Sequence, residues 1–116
     1  MKIDPTREQI DEMDAIERAF WQFHWSNPDV YDELRKLART LMNHGRKHYG
    51  ISALFEVVRY HRALKTTDPV FKLNNNHRAL YARLLMEREY ELQNFFETRD
   101  RPAKRYSSVW NPTPPE

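Results

Sequence analysis

Apolar residues recur in this chain at the spacing of an α-helix, and almost nothing in it can turn a tight hairpin. Tyr31, Leu34, Leu37, Ala38, Leu41 and Met42 follow one another at steps that keep them on one face of a helix. The same stretch has a start and a stop. Ser26 or Asn27 can cap it, Pro28 takes the first helical position, and Asp29 sits at the positive end of the helix dipole. At the other end Gly45 supplies a left-handed cap after His44. Only two glycines occur in 116 residues, so there is no Gly-rich phosphate loop and little material for tight hairpins. An all-α fold of four or five helices is expected.

The remaining helices follow from the same signals. A first helix is expected from Thr6 to Trp25, opened by a Thr6/Gln9 capping box and striped by Ile10, Met13, Ile16, Phe20 and Phe23. A third is expected from Ala53 to Leu64, capped by Ser52. Leu54, Phe55, Val57, Val58, Tyr60 and Leu64 make it apolar over much of its surface, which predicts a central, buried helix. One of Asn74, Asn75 or Asn76 caps a fourth helix that runs to Arg88 and buries Leu80, Tyr81, Leu84 and Leu85. Between the third and fourth helices, Asp68-Pro69 marks a turn and Val70 to Leu73 reads as extended. Tyr90 to Glu97 reads as a last helical segment, either continuing the fourth helix or turning away from it. Residues 1–99 are expected as one compact domain. Residues 100–116, with four of the seven prolines, are expected as a flexible tail.

No cysteine is present, which removes disulfides, thiol catalysis and thiolate zinc sites. No apolar run approaches a membrane span, and the N-terminus does not read as a signal peptide. His44 and His48 lie four apart, but Gly45 interrupts the helix that would align them, so no metal site is expected. Glu56 reads as an ion-pair partner and His77 as a core histidine. Neither reads as a catalyst, and no cofactor or small-molecule substrate is implied.

Charge is the informative property. Residues 1–34 hold 3 Lys/Arg and 9 Asp/Glu, residues 35–88 hold 12 and 3, and residues 89–116 hold 4 and 5. The overall net charge of +2 is therefore −6, +9 and −1 by block. Such asymmetry fits a surface for a polyanion, or an acidic segment docked on a basic one. It also fits ordinary solvated faces.

The first of these readings makes the chain a small nucleic-acid-binding protein, directed to duplex DNA. The fourth helix would present Asn75, Asn76, Arg78 and Arg83 with small Ala79 and Ala82 between them. Arg and Asn carry the forked groups that read guanine and adenine edges. Together with the third helix it would form a variant helix-turn-helix, although the connector exceeds the usual short turn. Arg46, Lys47, Arg59 and Arg62 would add phosphate contacts. The competing reading is a helical protein-interaction module, either a homodimer or an inhibitor of a host or defence protein. Phe20, Trp21, Trp25 and Trp110 would anchor its partner.

The stretch LFEVVRYHRAL…FKLNNNHRALYARLLMEREYELQNFFETR, Leu54 to Arg99, resembles small helical proteins encoded by bacteriophages and prophages. That resemblance implies origin and size more than activity. It implies a bacterial cytoplasmic setting, and it brings no catalytic motif. Both functional readings suit it.

Overall fold

A computed structural model describes residues 4–65 and 73–97. The fold is all-α, as the periodicity predicts, and no strand occurs among the described residues. No helix among them is long and apolar enough to cross a membrane. The order is α1 (Arg7–Glu12), α2 (Ala15–Ser26), α3 (Pro28–Asn43), α4 (Ile51–Lys65), a 3₁₀ turn (Asn75–His77), α5 (Arg78–Arg88) and a second 3₁₀ turn (Tyr90–Leu92).

The expected first helix is two helices. The capping box opens α1: the Gln9 N–H donates to Thr6 Oγ1 and the Thr6 N–H donates to Gln9 Oε1. Six residues later the chain breaks at Met13, which is extended (ψ 159°). Asp14 then caps α2 by accepting from the Glu17 N–H at 2.8 Å. A short acid that can bond the backbone outside a helix competes with helix continuation. The break leaves carbonyls without helical partners, and Arg18 donates to those of Met13 (3.0 Å) and Asp11 (3.3 Å). Ile10 and Met13 are both buried as a result.

Asn27 separates α2 from α3, with Pro28 at the first position of α3 as expected. Its side chain closes α2, donating to the Phe23 carbonyl at 3.1 Å, and makes no cap on α3. At the far end Gly45 has φ +96°. The Arg46 N–H reaches the Leu41 carbonyl and the Gly45 N–H reaches that of Met42, both at 3.0 Å. This is the paired bonding of a Schellman stop. α4 returns antiparallel along α3, and an Asp29–Arg62 ion pair joins their open ends.

Two expectations about the third and fourth helices exchange places. α4 begins at Ile51, so Ser52 lies inside it, where its hydroxyl accepts from Arg78 (3.1 Å) instead of capping. α4 buries Ile51, Leu54, Phe55 and Val58 and leaves Tyr60 and Leu64 exposed, so it is not the central helix. α5 is. Leu80, Tyr81, Leu84 and Leu85 are buried as predicted, and Ala82 joins them at 0% exposure. Asn74 caps the turn before α5, its Oδ1 accepting from the Asn76 N–H at 2.8 Å.

Around α5 the core is aromatic. Phe20 sits edge-on to Tyr81 (centroids 4.7 Å), Trp21 (5.3 Å) and His77 (5.7 Å) and stacks on His24 (6.0 Å). Tyr90 to Glu97 is not a helix beyond its first turn. Glu89 is extended and Asn94 adopts φ 63°. That irregular path buries both Phe95 and Phe96, whose rings meet edge to face at 5.1 Å. The segment packs under the α3–α4 loop, where the Tyr49 N–H donates to the Phe95 carbonyl at 3.1 Å. The expected extended segment from Val70 and the tail 100–116 lie outside the described residues, apart from buried Leu73.

Candidate interaction surface

The fold joins the acidic and basic blocks. Asp4 pairs with Arg88, Asp29 with Arg62, Asp32 with Arg35, and Glu33 accepts from the His61 ring. Beyond α5, Glu89 and Glu91 reach back to Arg39 at 2.8 and 3.1 Å. Part of the acidic block is thus paired with the basic one. Asp4 is the best-developed of these contacts. Burial raises its pKa, but hydrogen bonds from Arg88 and Trp25 outweigh that and hold the carboxyl below its usual range.

Several residues expected to meet nucleic acid are engaged within the fold. Arg59 pairs with Glu56 and donates to the Leu73 carbonyl (2.9 Å) and to Asn75 Oδ1 (2.7 Å). It thereby fixes the segment entering α5 onto α4. Arg62 is held by Asp29. Arg78 is half-buried and donates to the Asn75 carbonyl (3.1 Å) and to Ser52. Arg83 is half-buried and lines a hollow of about 300 Å³ with Met86, Glu87, Gln93 and Asn94. Asn94 also borders a second hollow, of about 470 Å³, with His48, Phe96 and Glu97. Glu87 shares the first hollow with Arg83, and Glu97 lines the second, which holds no Lys or Arg, so neither is a uniformly positive cleft.

Of the expected outer face of α5, Arg78, Ala79, Arg83 and Met86 are half-buried and Ala82 is buried. All eleven residues of α5 are buried or half-buried. Asn76 is exposed, as are Arg46 and Lys47 on the loop that follows α3. His44 and His48 on that loop separate: His44 contacts the Thr40 carbonyl (2.8 Å) and His48 that of Asn94 (3.0 Å). Among the described residues no three of His, Asp and Glu gather as metal ligands.

The expected partner anchors divide as well. Phe20 and Trp21 are 0% and 1% exposed and belong to the core, because α2 packs its aromatic end on α5. Arg88 lies over the Trp21 ring at 5.8 Å. Trp25 remains 44% exposed and donates to Asp4 at 2.6 Å. Trp110 lies outside the described residues.

Tyr49 and Tyr90 are exposed singly, and α4 exposes two apolar side chains on one face. Tyr60 is 63% and Leu64 70% exposed, one turn apart on the side opposite the core, with half-buried Val57 a turn earlier. The apolar pattern of the helix predicts burial for these residues, and the fold leaves Tyr60 and Leu64 exposed. Their signal was the two-sided apolar pattern of the helix, which suits a central helix or one with a partner on its outer side. Compared with family models, with curated proteins and with solved structures, the chain matches none.

Proposed function

We propose that this chain is a helical protein-interaction module that receives a partner helix along the outer face of α4. The observation that carries this reading is the exposure of Tyr60 and Leu64 on a helix whose opposite side is already core. A helix apolar on both sides is at home between two packed surfaces, and the fold supplies one of them. Contiguous exposed apolar side chains on a small domain mark interaction sites more often than isolated ones do. In the setting implied by the resemblance to phage-encoded proteins, the partner is a second copy or a host protein. The test is a photo-crosslinking benzoylphenylalanine in place of Ala63, beside the stripe, in the source cells. A discrete protein adduct that Leu64→Glu abolishes supports the reading. No adduct at this position overturns it.

A second reading, nucleic-acid binding, keeps one specific support. Arg46 and Lys47 are consecutive, exposed and without a carboxylate partner among the described residues. Two phosphate contacts correspond to a slope of about −2 in log affinity against log salt. Duplex DNA binding with that slope, flattened in Arg46→Ala/Lys47→Ala, supports this reading. No binding at low salt removes it.

A further inference from the structure

Ala53, Val57, Tyr60 and Leu64 follow one another at steps of four, three and four. That is the spacing by which one helix meets another along a seam. At 100° per residue the four fall within an arc of about 60°. On α4 this arc faces outward, with Ala53, Tyr60 and Leu64 exposed and Val57 half-buried. Steps of four, three and four read the same in either direction, so the seam can meet its own copy in two ways. Run parallel, it sets Ala53 against Ala53 and Tyr60 against Tyr60, a gap at one level and crowding at another. Run antiparallel, it sets Ala53 against Leu64 and Val57 against Tyr60, so each level joins a smaller side chain to a larger one. Alternation of large and small across facing positions is what lets layers fill evenly. The antiparallel arrangement also opposes the two helix dipoles.

Charge permits the same arrangement. Glu56, the single acid of α4, borders the seam and is paired with Arg59. A second copy therefore brings no bare carboxylate against its twin. We infer that the outer seam of α4 binds the same seam of a second copy of this chain. The two helices run antiparallel about a two-fold axis between Val57 and Tyr60. This rests on the interaction-module reading and names the partner. A seam of twelve residues is about 18 Å long, too short for the roughly 1,200–2,000 Å² that stable complexes bury. The dimer therefore dissociates on dilution.

Sedimentation equilibrium on the purified chain tests this. Between about 10 μM and 1 mM, the range of weak association, the mass rises from one chain toward two. Leu64→Glu stays at one chain with unchanged helical circular dichroism, since Leu64 is 70% exposed. The register has its own test, because the chain holds no cysteine. Ala53→Cys mixed with Leu64→Cys in a glutathione buffer gives a disulfide heterodimer at least ten times faster than either variant gives a homodimer. In the antiparallel seam the two copies of residue 53 lie about 16 Å apart along the axis, beyond disulfide reach. Preferential Ala53→Cys homodimers overturn the antiparallel arrangement. A purified chain that stays monomeric at 1 mM, while benzoylphenylalanine at position 63 gives an adduct of some other mass, overturns self-pairing and leaves the module reading standing. A monomeric chain with no adduct overturns both.

Discussion

Removing a hydroxyl from the centre of this core should stabilise it. Tyr81 is 0% exposed, and its hydroxyl has no hydrogen-bond partner among the described residues. Its ring is held edge-on by Phe20 at 4.7 Å and meets Phe55 at 5.9 Å and His24 at 5.9 Å. Burial pushes its pKa up, so the group is a neutral phenol at every relevant pH. An unsatisfied buried hydroxyl costs about 1–3 kcal/mol of desolvation. Tyr81→Phe keeps the ring, its edge-to-face contacts and the rotamer, and deletes only the oxygen. The void left behind is smaller than a methyl group and offsets a fraction of the gain. The net expectation is about 1 kcal/mol of added stability, or a rise of roughly 4–8 °C in the melting temperature of a domain this size. Urea denaturation followed by circular dichroism reads it as a higher midpoint at unchanged slope. A loss of more than about 0.5 kcal/mol would refute the argument, because it requires a hydrogen bond that this geometry lacks.

Other expectations follow from neighbouring features. His24 and His77 are 7% and 3% exposed, and burial lowers both pKa values from the ordinary 6.5. Below pH 6.5 the unfolded chain therefore takes up protons that the folded one refuses, and stability declines as the pH falls. The slope reaches up to about 1.4 kcal/mol per pH unit for each group. Urea midpoints from pH 8 to 5 check this, and His77→Leu should flatten the decline. Glu89 accepts from the Tyr31 hydroxyl at 2.9 Å and from Arg39 at 2.8 Å, joining α3 to the end of α5. Glu89→Ala should cost about 2 kcal/mol, and a double-mutant cycle with Tyr31→Phe should show coupling. Gly45→Ala should cost about 1–2 kcal/mol, because φ is +96° and a Cβ there meets nothing within 4 Å, so the whole effect is backbone strain. Gly50→Ala, where a Cβ meets equally little, should be neutral or stabilising by up to about 1 kcal/mol.

Much of the fold is legible because its signals are local. Pro28 and Gly45 bound α3 through backbone geometry that each residue imposes on itself, and the Thr6/Gln9 box acts across three residues. What escaped depends on competition or on long range. Asp14 breaks a helix that periodicity alone would continue, because its carboxylate offers the Glu17 N–H a bond outside the helix. Phe95 and Phe96 abandon helical geometry because tertiary burial of both rings outweighs local propensity. The exchange of roles between α4 and α5 could not be read from either helix alone. α4 holds more apolar residues, yet α5 is the one enclosed by α3, α4 and both 3₁₀ turns.

The same distinction between local and long-range signals bears on the charge. A block of +9 looks like a footprint for phosphate only while its counter-charges are counted separately. In the folded chain Arg35, Arg39, Arg59, Arg62 and Arg88 each face a carboxylate. Exposed pairs of this kind contribute only about 0.2–1 kcal/mol each, so their energy alone would not keep a polyanion away. The carboxylates themselves would, since like charges set against each other across an interface cost several kcal/mol. Breaking the pairs exposes those carboxylates to phosphate, and keeping them leaves these five arginines neutralised. Exposed cations that face no carboxylate among the described residues include Lys36, Arg46, Lys47 and Lys65, and there a phosphate would meet least opposition. The outer seam of α4 carries no such opposition: Tyr60 and Leu64 stand exposed, and burying them costs no ion pair of the fold.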